Sequence, residues 1–201
     1  MNKESFRTVA SELKNHVKIL AGFVAIIWSI EIINYIVFRD RMALQFDFLG
    51  VRPRSIEGLV GILTAPFLHG NFYHVAANTV PFLGMGWFVL LRGTDRFFFV
   101  SVVSALISGL GSWAIGNPYS VHIGASGMIF GYLGYLLLSG WFEKNIVSIG
   151  LSLIAAFLYG GLIWGVLPGQ TGISWEGHLF GFIGGSIAAK LLAPQSSRNP
   201  Q

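Results

Sequence analysis

Two short stretches of the sequence place a polar side chain among glycines and apolar residues in a pattern that suits nucleophilic catalysis. Ser126 lies between Gly124 and Gly127 in HIGASGMIFGYLGY, and His178 lies in WEGHLFGFIGGSIAAK. A serine hydroxyl is a weak nucleophile unless an adjacent base takes its proton, and histidine is the side chain that most often does so. The two glycines allow the backbone to turn sharply beside Ser126. We therefore predict that Ser126 is a nucleophile and that His178 is its base.

A third stretch, HGNFYHVAANTVPF, could stabilise the negative charge that forms during such an attack. His74 and Asn78 are four residues apart, so they share one face of a helix. Side chains of these two types can donate hydrogen bonds to an oxyanion. We predict that both lie beside Ser126 and contribute to an oxyanion hole.

The elements that carry Ser126 and His178 have regularly spaced glycines, which predicts that they pack closely. Small residues repeated every three or four positions make a bare helix face, and two such faces let helix axes approach each other. Close packing would bring the serine oxygen and the imidazole within hydrogen-bond reach. The glycines concerned are Gly127, Gly131 and Gly134 after the serine, and Gly177, Gly181 and Gly185 around the histidine.

The composition indicates that lipid surrounds most of the chain. Of its 201 residues, 53% are hydrophobic and 11% are charged, and the mean hydropathy is +0.64. An ordinary soluble domain carries about 25% charged residues. A helix needs roughly 20 apolar residues to span a bilayer. We predict an all-α membrane protein with six transmembrane helices, over about residues 19–38, 72–91, 97–115, 126–141, 146–167 and 175–192.

The basic residues predict an orientation for these six helices. Most of them fall on one side of the membrane, and the positive-inside rule places that side in the cytoplasm. They are Lys3, Arg7, Lys14, Lys18, Arg92, Arg96, Lys144, Lys190 and Arg198. The long loop after the first helix has four arginines of its own but also three carboxylates. The amino end is therefore predicted to be cytoplasmic, with no cleaved signal peptide.

This orientation divides the chain into three parts. We expect a cytoplasmic segment at residues 1–18, a membrane domain at 19–192 and a polar tail at 193–201. Ser126 and His178 then begin their helices on the non-cytoplasmic side. Glu31, in the middle of the first helix, is expected to face inward, because a carboxyl group is costly in lipid.

The motifs resemble the rhomboid family in their order and spacing. The resemblance covers about residues 58–189 and rests on three elements: the His74-x-x-x-Asn78 pair with an earlier His69, Gly124-Ala125-Ser126-Gly127, and His178-x-x-Gly181. It implies a rhomboid-like helical bundle and a serine-type endopeptidase, an intramembrane hydrolase that cuts in or near transmembrane segments of other membrane proteins. It also implies a dyad of Ser126 and His178 without a third acid, an oxyanion hole that includes the backbone N–H of Ser126, and no metal or organic cofactor.

Two positions depart from the family pattern. Many members carry Trp-Arg in the first loop, where this chain has Leu59-Val60-Gly61. A tyrosine often follows the serine by four residues and packs on the histidine; here it is Phe130, which can stack but cannot donate a hydrogen bond. The loop is therefore expected to be held differently, while the reacting groups are all retained.

Rival functions are less compatible with the sequence. A zinc protease would need an HExxH helix, which the sequence lacks. An aspartyl intramembrane protease would need aspartates within the membrane, and the aspartates here fall in predicted loops. A transporter would usually show internal repeats, and no clear repeat is present. The basic residues follow the membrane topology and do not form a nucleic-acid-binding patch. The alternative that remains is a catalytically silent rhomboid-like adaptor that binds transmembrane segments. We expect a multi-pass protein of a bacterial plasma (inner) membrane; the substrate and the oligomeric state stay open.

Overall fold

A computed structural model describes residues 3–38, 46–169 and 172–194. The described part is all-α, as predicted, and its only β pairing is an isolated antiparallel bridge between Val51 and His122. Six long helices carry the fold, together with a single-turn helix at Gly61–Thr64. The long helices are α1 (Lys3–Phe38), α2 (Phe72–Leu90), α3 (Thr94–Ile115), α4 (Ser126–Glu143), α5 (Ile146–Tyr159) and α6 (Trp175–Leu192).

Two helices differ from their predicted bounds for local reasons. α1 begins at Lys3 instead of residue 19, because the charged stretch before the apolar segment consists largely of good helix formers and contains no proline or glycine. The predicted division at residues 18 and 19 is therefore not a break in the helix. The fifth helix changes from α to 3-10 geometry at Gly160–Val166, beginning at two consecutive glycines. The predicted tail at 193–201 lies outside the described residues except for its first two positions.

Judged by length and composition alone, three helices of the described part could cross a membrane: Arg7–Phe38, Thr94–Ile115 and Ile146–Val166. The helices with the candidate site, α2, α4 and α6, are 19, 18 and 18 residues long. Eighteen residues of α-helix rise about 27 Å, close to the thickness of a bilayer core. The count of six spans stays a prediction.

The helices form an inner and an outer layer. α4 is central, and most of its residues are buried. α5 is on the outside and exposes Ile146, Leu153 and Phe157, the last by 88%. A helix that presents bulky apolar side chains outward suits contact with lipid. Glu31 of α1 faces inward, as predicted, and is 4% exposed.

The glycines set how closely α4 and α6 approach. A Cβ atom on Gly181 or Gly185 would collide with the backbone carbonyl of Gly127 or Gly131, respectively, in α4. This confirms the predicted close packing of the two helices. Two glycines of α4 meet a third element that was not predicted: a Cβ on Gly127 or Gly131 would collide with Ser108 or Ser104 of α3, respectively, whereas one on Gly134 would collide with the carbonyl of Phe182 in α6.

The segment between α1 and α2 folds back over the start of α4. Val51 exchanges two backbone hydrogen bonds of 2.9 Å with His122, and the indole N–H of Trp113 donates to the carbonyl of Ser55 at 2.7 Å. A Cβ on Gly61 would collide with the backbone of residues 50 and 51. Direct glycine-to-backbone packing therefore holds the segment at Leu59-Val60-Gly61, which was expected to be held differently from the Trp-Arg pattern.

A buried ionic cluster ties the opposite end of the bundle together. Glu143, at the end of α4, pairs with Arg92 and Arg96, and its side chain is 2% exposed. Ser148 at the start of α5 donates to the same carboxylate at 2.6 Å. The cluster therefore joins the α2–α3 and α4–α5 connections. Because the carboxylate is fully paired, it is not an isolated buried charge.

Candidate active site

Ser126 is the first residue of α4, and the turn before it requires glycine. Gly124 has φ of +114°, which L side chains rarely adopt. A Cβ there would also lie 2.7 Å from Nε2 of His74. Gly124 therefore lets His74 lie directly against the backbone that leads into the serine.

His178 lies at the start of α6, and its ring is held from two sides. Its Nδ1 is 2.9 Å from the carbonyl oxygen of Gly165, in the 3-10 segment after α5. Phe130 of α4 stacks on the ring, with 4.0 Å between centroids and 9° between planes. Because a carbonyl only accepts, Nδ1 carries the hydrogen, and Nε2 of the neutral ring is the nitrogen that can accept a proton.

Ser126 and His178 are brought to the same end of the α4–α6 contact. Both are half-buried, and the Cβ position of Gly127 lies 3.6 Å from the carbonyl oxygen of Gly177. No hydrogen bond joins Ser126 Oγ to His178 among the bonds of the described residues. Such bonds are often long before substrate binds and tighten in the reacting complex.

His74 and Asn78 lie on one face of α2, at the end of the helix that approaches Ser126. The amide of Asn78 donates to the carbonyl of His74 at 3.0 Å and lies 3.7 Å from the Cβ position of Gly124. Asn71 caps the helix by accepting from the N–H of His74 at 2.8 Å. The predicted pair is therefore beside the turn that carries Ser126.

His69 holds the same turn from the other side, which the sequence did not reveal. Its Nε2 accepts from the N–H of Ala125 at 3.4 Å, and the side chain is 2% exposed. Burial, and secondarily the nearby His74, lowers the pKa of His69 to about 3. The ring is therefore neutral at physiological pH and remains an acceptor for the residue before Ser126.

Gly165 is the other residue of the candidate site that sequence reasoning missed. Its carbonyl orients His178, as a carboxylate does in a serine triad. Every residue has a backbone carbonyl, so the residue type does not reveal this role. The only hint in the sequence was that a glycine occurs one turn before the loop that leads into α6, the helix of His178.

A small cavity of about 40 Å³ lies behind the serine. Its polar lining includes Ser108, Ser112, His122 and Ser174, and it extends to Ser126. Its volume is enough for a water molecule, and its side chains can hydrogen-bond one. Within the described ranges, no group of three or more His, Cys, Asp or Glu side chains could hold a metal ion.

Apolar helices that hold a serine, two histidines and an asparagine together at one end define a helical integral membrane protein with a candidate serine–histidine site. The sequence matches the Rhomboid domain over residues 57–195. The chain belongs to the rhomboid family, which confirms the resemblance and the fold class. The matched range includes every candidate site residue and leaves out α1.

Similarity to individual proteins agrees with this assignment. An uncharacterized protein of Mycobacterium tuberculosis is 40% identical over 179 residues, which are 85% of this chain and 72% of that protein. A Mycobacterium leprae protein is 39% identical over the same length, 69% of its own chain. The rhomboid protease GluP of Bacillus subtilis is 31% identical over 134 residues, 65% of this chain and 25% of GluP.

Proposed function

We propose that this protein is an intramembrane serine endopeptidase that hydrolyses peptide bonds in or near the transmembrane segments of other membrane proteins. The observation that carries the proposal is the hydrogen bond from His178 Nδ1 to the carbonyl of Gly165. It leaves Nε2 as a base, in a helix whose glycines contact the helix of Ser126. Similarity to a named rhomboid protease supports the same activity.

The proposed reaction begins with attack of Ser126 Oγ on the carbonyl carbon of the scissile bond, while His178 Nε2 takes the hydroxyl proton. The resulting oxyanion would be stabilised by His74, by Asn78 and by the backbone N–H of Ser126. Among the described residues this N–H donates to no carbonyl, as is usual in the first turn of a helix. Collapse of the intermediate breaks the C–N bond, and the imidazolium protonates the leaving amine. Water then repeats the sequence on the acyl-enzyme, with His178 again as base, and releases the acid and Ser126.

The location of the site in the membrane is part of the proposal. With the amino end in the cytoplasm, Ser126 and His178 lie toward the outer leaflet, where a cavity open to that side could supply water. The small cavity beside Ser126 supports such a supply. The relatives from Mycobacterium and Bacillus favour a bacterial plasma membrane.

Labelling with a serine-directed fluorophosphonate tests the activity. We expect the wild type in detergent to be labelled at Ser126, and expect Ser126→Ala and His178→Ala to lose labelling while their thermal unfolding stays close to wild type. Ser139→Ala, which removes another buried serine of α4, is the matched control and should be labelled normally. A folded wild type without labelling would instead favour the silent adaptor.

A further inference from the structure

His122 lies four residues before Ser126 and has no role in the reaction above, yet both of its ring nitrogens are hydrogen-bonded. Nε2 is 2.8 Å from the hydroxyl of Ser120, and Nδ1 makes a short hydrogen bond with the hydroxyl of Ser174. Its backbone is fixed as well, by the two bonds to Val51. The side chain is 9% exposed.

The neighbouring bonds determine which nitrogen carries the hydrogen. The hydroxyl of Ser120 donates to the carbonyl of Asn117 at 2.7 Å, so it accepts from His122, and Nε2 is the protonated nitrogen. Nδ1 is then an acceptor, and the hydroxyl of Ser174 donates to it. Burial lowers the pKa of His122, and the nearby Glu176 opposes this effect only in part. The lowered pKa favours the neutral ring that this arrangement requires.

Ser174 connects this bond to the candidate base. It is the N-cap of α6, and its hydroxyl accepts from the N–H of Gly177 at 3.3 Å. Its carbonyl accepts from the N–H of His178 at 3.1 Å. A serine hydroxyl has one hydrogen and can also accept, so Ser174 can cap the helix and donate to His122 at the same time.

We propose that His122 is a positioning residue: through Ser174 it holds the first turn of α6, and therefore His178, in register with the segment that carries Ser126. The two candidate reacting residues lie on separate helices. The bond between His122 and Ser174 joins the segment leading into one helix to the first turn of the other. The inference rests on the proposed function, because register matters only if Ser126 and His178 react together.

Two substitutions at position 122 separate the two ring bonds. The side-chain oxygen of asparagine can occupy the place of Nδ1, so His122→Asn keeps an acceptor for Ser174 and loses the bond to Ser120. The amide nitrogen of glutamine can occupy the place of Nε2, so His122→Gln keeps the donor to Ser120 and loses the acceptor. We expect His122→Gln to lower kcat by about 10- to 100-fold, since a misplacement of about 1 Å can cost 10²-fold in rate. KM should change little, because His122 does not contact substrate, and His122→Asn should restore most of kcat.

Ser120→Ala is the control for the other bond and should keep kcat within a few-fold of wild type. Amide hydrogen exchange provides a measurement that is independent of activity: the first turn of α6 should exchange faster in His122→Gln than in wild type or His122→Asn, at similar thermal stability. Equal kcat and equal exchange in the Asn and Gln variants would overturn the inference and leave the proposed function standing. A folded wild type that is inactive toward both fluorophosphonate and substrates would instead overturn the proposed function and, with it, this role of His122.

Discussion

At the scale of single residues, a neutral group orients the candidate base, His178. The carbonyl of Gly165 accepts from His178 Nδ1, and Phe130 fixes the plane of the ring. A carbonyl fixes the tautomer without placing a full negative charge in a site surrounded by apolar helices, where an unpaired carboxylate would be costly. The orientation of the His178 ring therefore depends on the backbone position of Gly165.

Gly165→Ala tests that dependence. The added Cβ would lie 2.7 Å from the ring of Phe130 and 3.2 Å from Nδ1 of His178, so the Phe130 ring would have to shift and would disturb the candidate base that it stacks on. We expect kcat to fall by about 10- to 100-fold. Gly161→Ala is a matched control in the same 3-10 segment, because its Cβ meets nothing within 4 Å. Equal kcat values in the two variants, measured on one substrate, would contradict the view that close packing of the Gly165 backbone, Phe130 and His178 holds the candidate base in place.

His69 should make the stability of the protein depend on pH. The pKa of His69 is lowered from 6.5 to about 3 in the folded protein, so between these values the unfolded chain binds a proton that the folded chain does not. Stability therefore decreases as pH falls from about 6.5 toward 3, by up to about 1.4 kcal/mol per pH unit from this residue.

His69→Gln removes this titration and keeps a side-chain oxygen that can accept from Ala125. We expect the melting temperature of this variant, measured in detergent between pH 7 and pH 4, to fall less steeply than that of wild type. Parallel curves for the two proteins would mean that His69 is not held neutral by burial.

At the scale of helices, glycine allows α6 to lie against the carbonyls of α4, and the serines of α3 fill the other side of α4. The regular glycines predicted the first of these contacts. The glycines could not predict the contact between α3 and α4. Ser104 and Ser108 are ordinary small residues in an apolar helix, and only the structure shows that they face glycines of α4. Ser108 donates to the carbonyl of Gly177 at 2.8 Å, so α3 also supports the turn before His178.

Gly181→Val should separate α4 from α6. The side chain would collide with the backbone of Gly127, next to Ser126, so we expect activity and melting temperature to fall together, although Gly181 is not a proposed reacting residue. Gly150→Val in α5 is the control, because its Cβ meets nothing within 4 Å. Similar tolerance at both positions, in cleavage and in thermal unfolding, would contradict the view that these glycines set the distance between Ser126 and His178.

At the scale of the whole molecule, hydropathy and motif spacing predicted the helices, and the structure brings their candidate site residues to one end. The contacts that complete the site are tertiary. Gly165, His69 and His122 act through backbone groups or through partners more than ten residues away, and no local pattern encodes those pairings. α1 extends beyond the span predicted at 19–38, because hydropathy locates a membrane span, whereas helix propensity continues beyond it.

The layered arrangement accounts for how a hydrolase could work in a bilayer. Bulky apolar side chains of α5 face outward, the glycine-rich α4 is central, and the polar groups gather where α4 and α6 begin. This arrangement keeps lipid at the surface and places polar side chains and a small cavity around the serine. A membrane-embedded substrate would have to reach this end of the bundle to be cut.

The most direct test is cleavage by purified protein in liposomes that contain a panel of single-span membrane proteins, with the cut sites located by mass spectrometry. We expect wild type to cut at least one of them in or near its transmembrane segment, and expect Ser126→Ala and His178→Ala to cut none while remaining folded. Cuts that persist at the same bond in folded Ser126→Ala, or a folded wild type that cuts nothing in the panel and is not labelled by fluorophosphonate, would contradict the account.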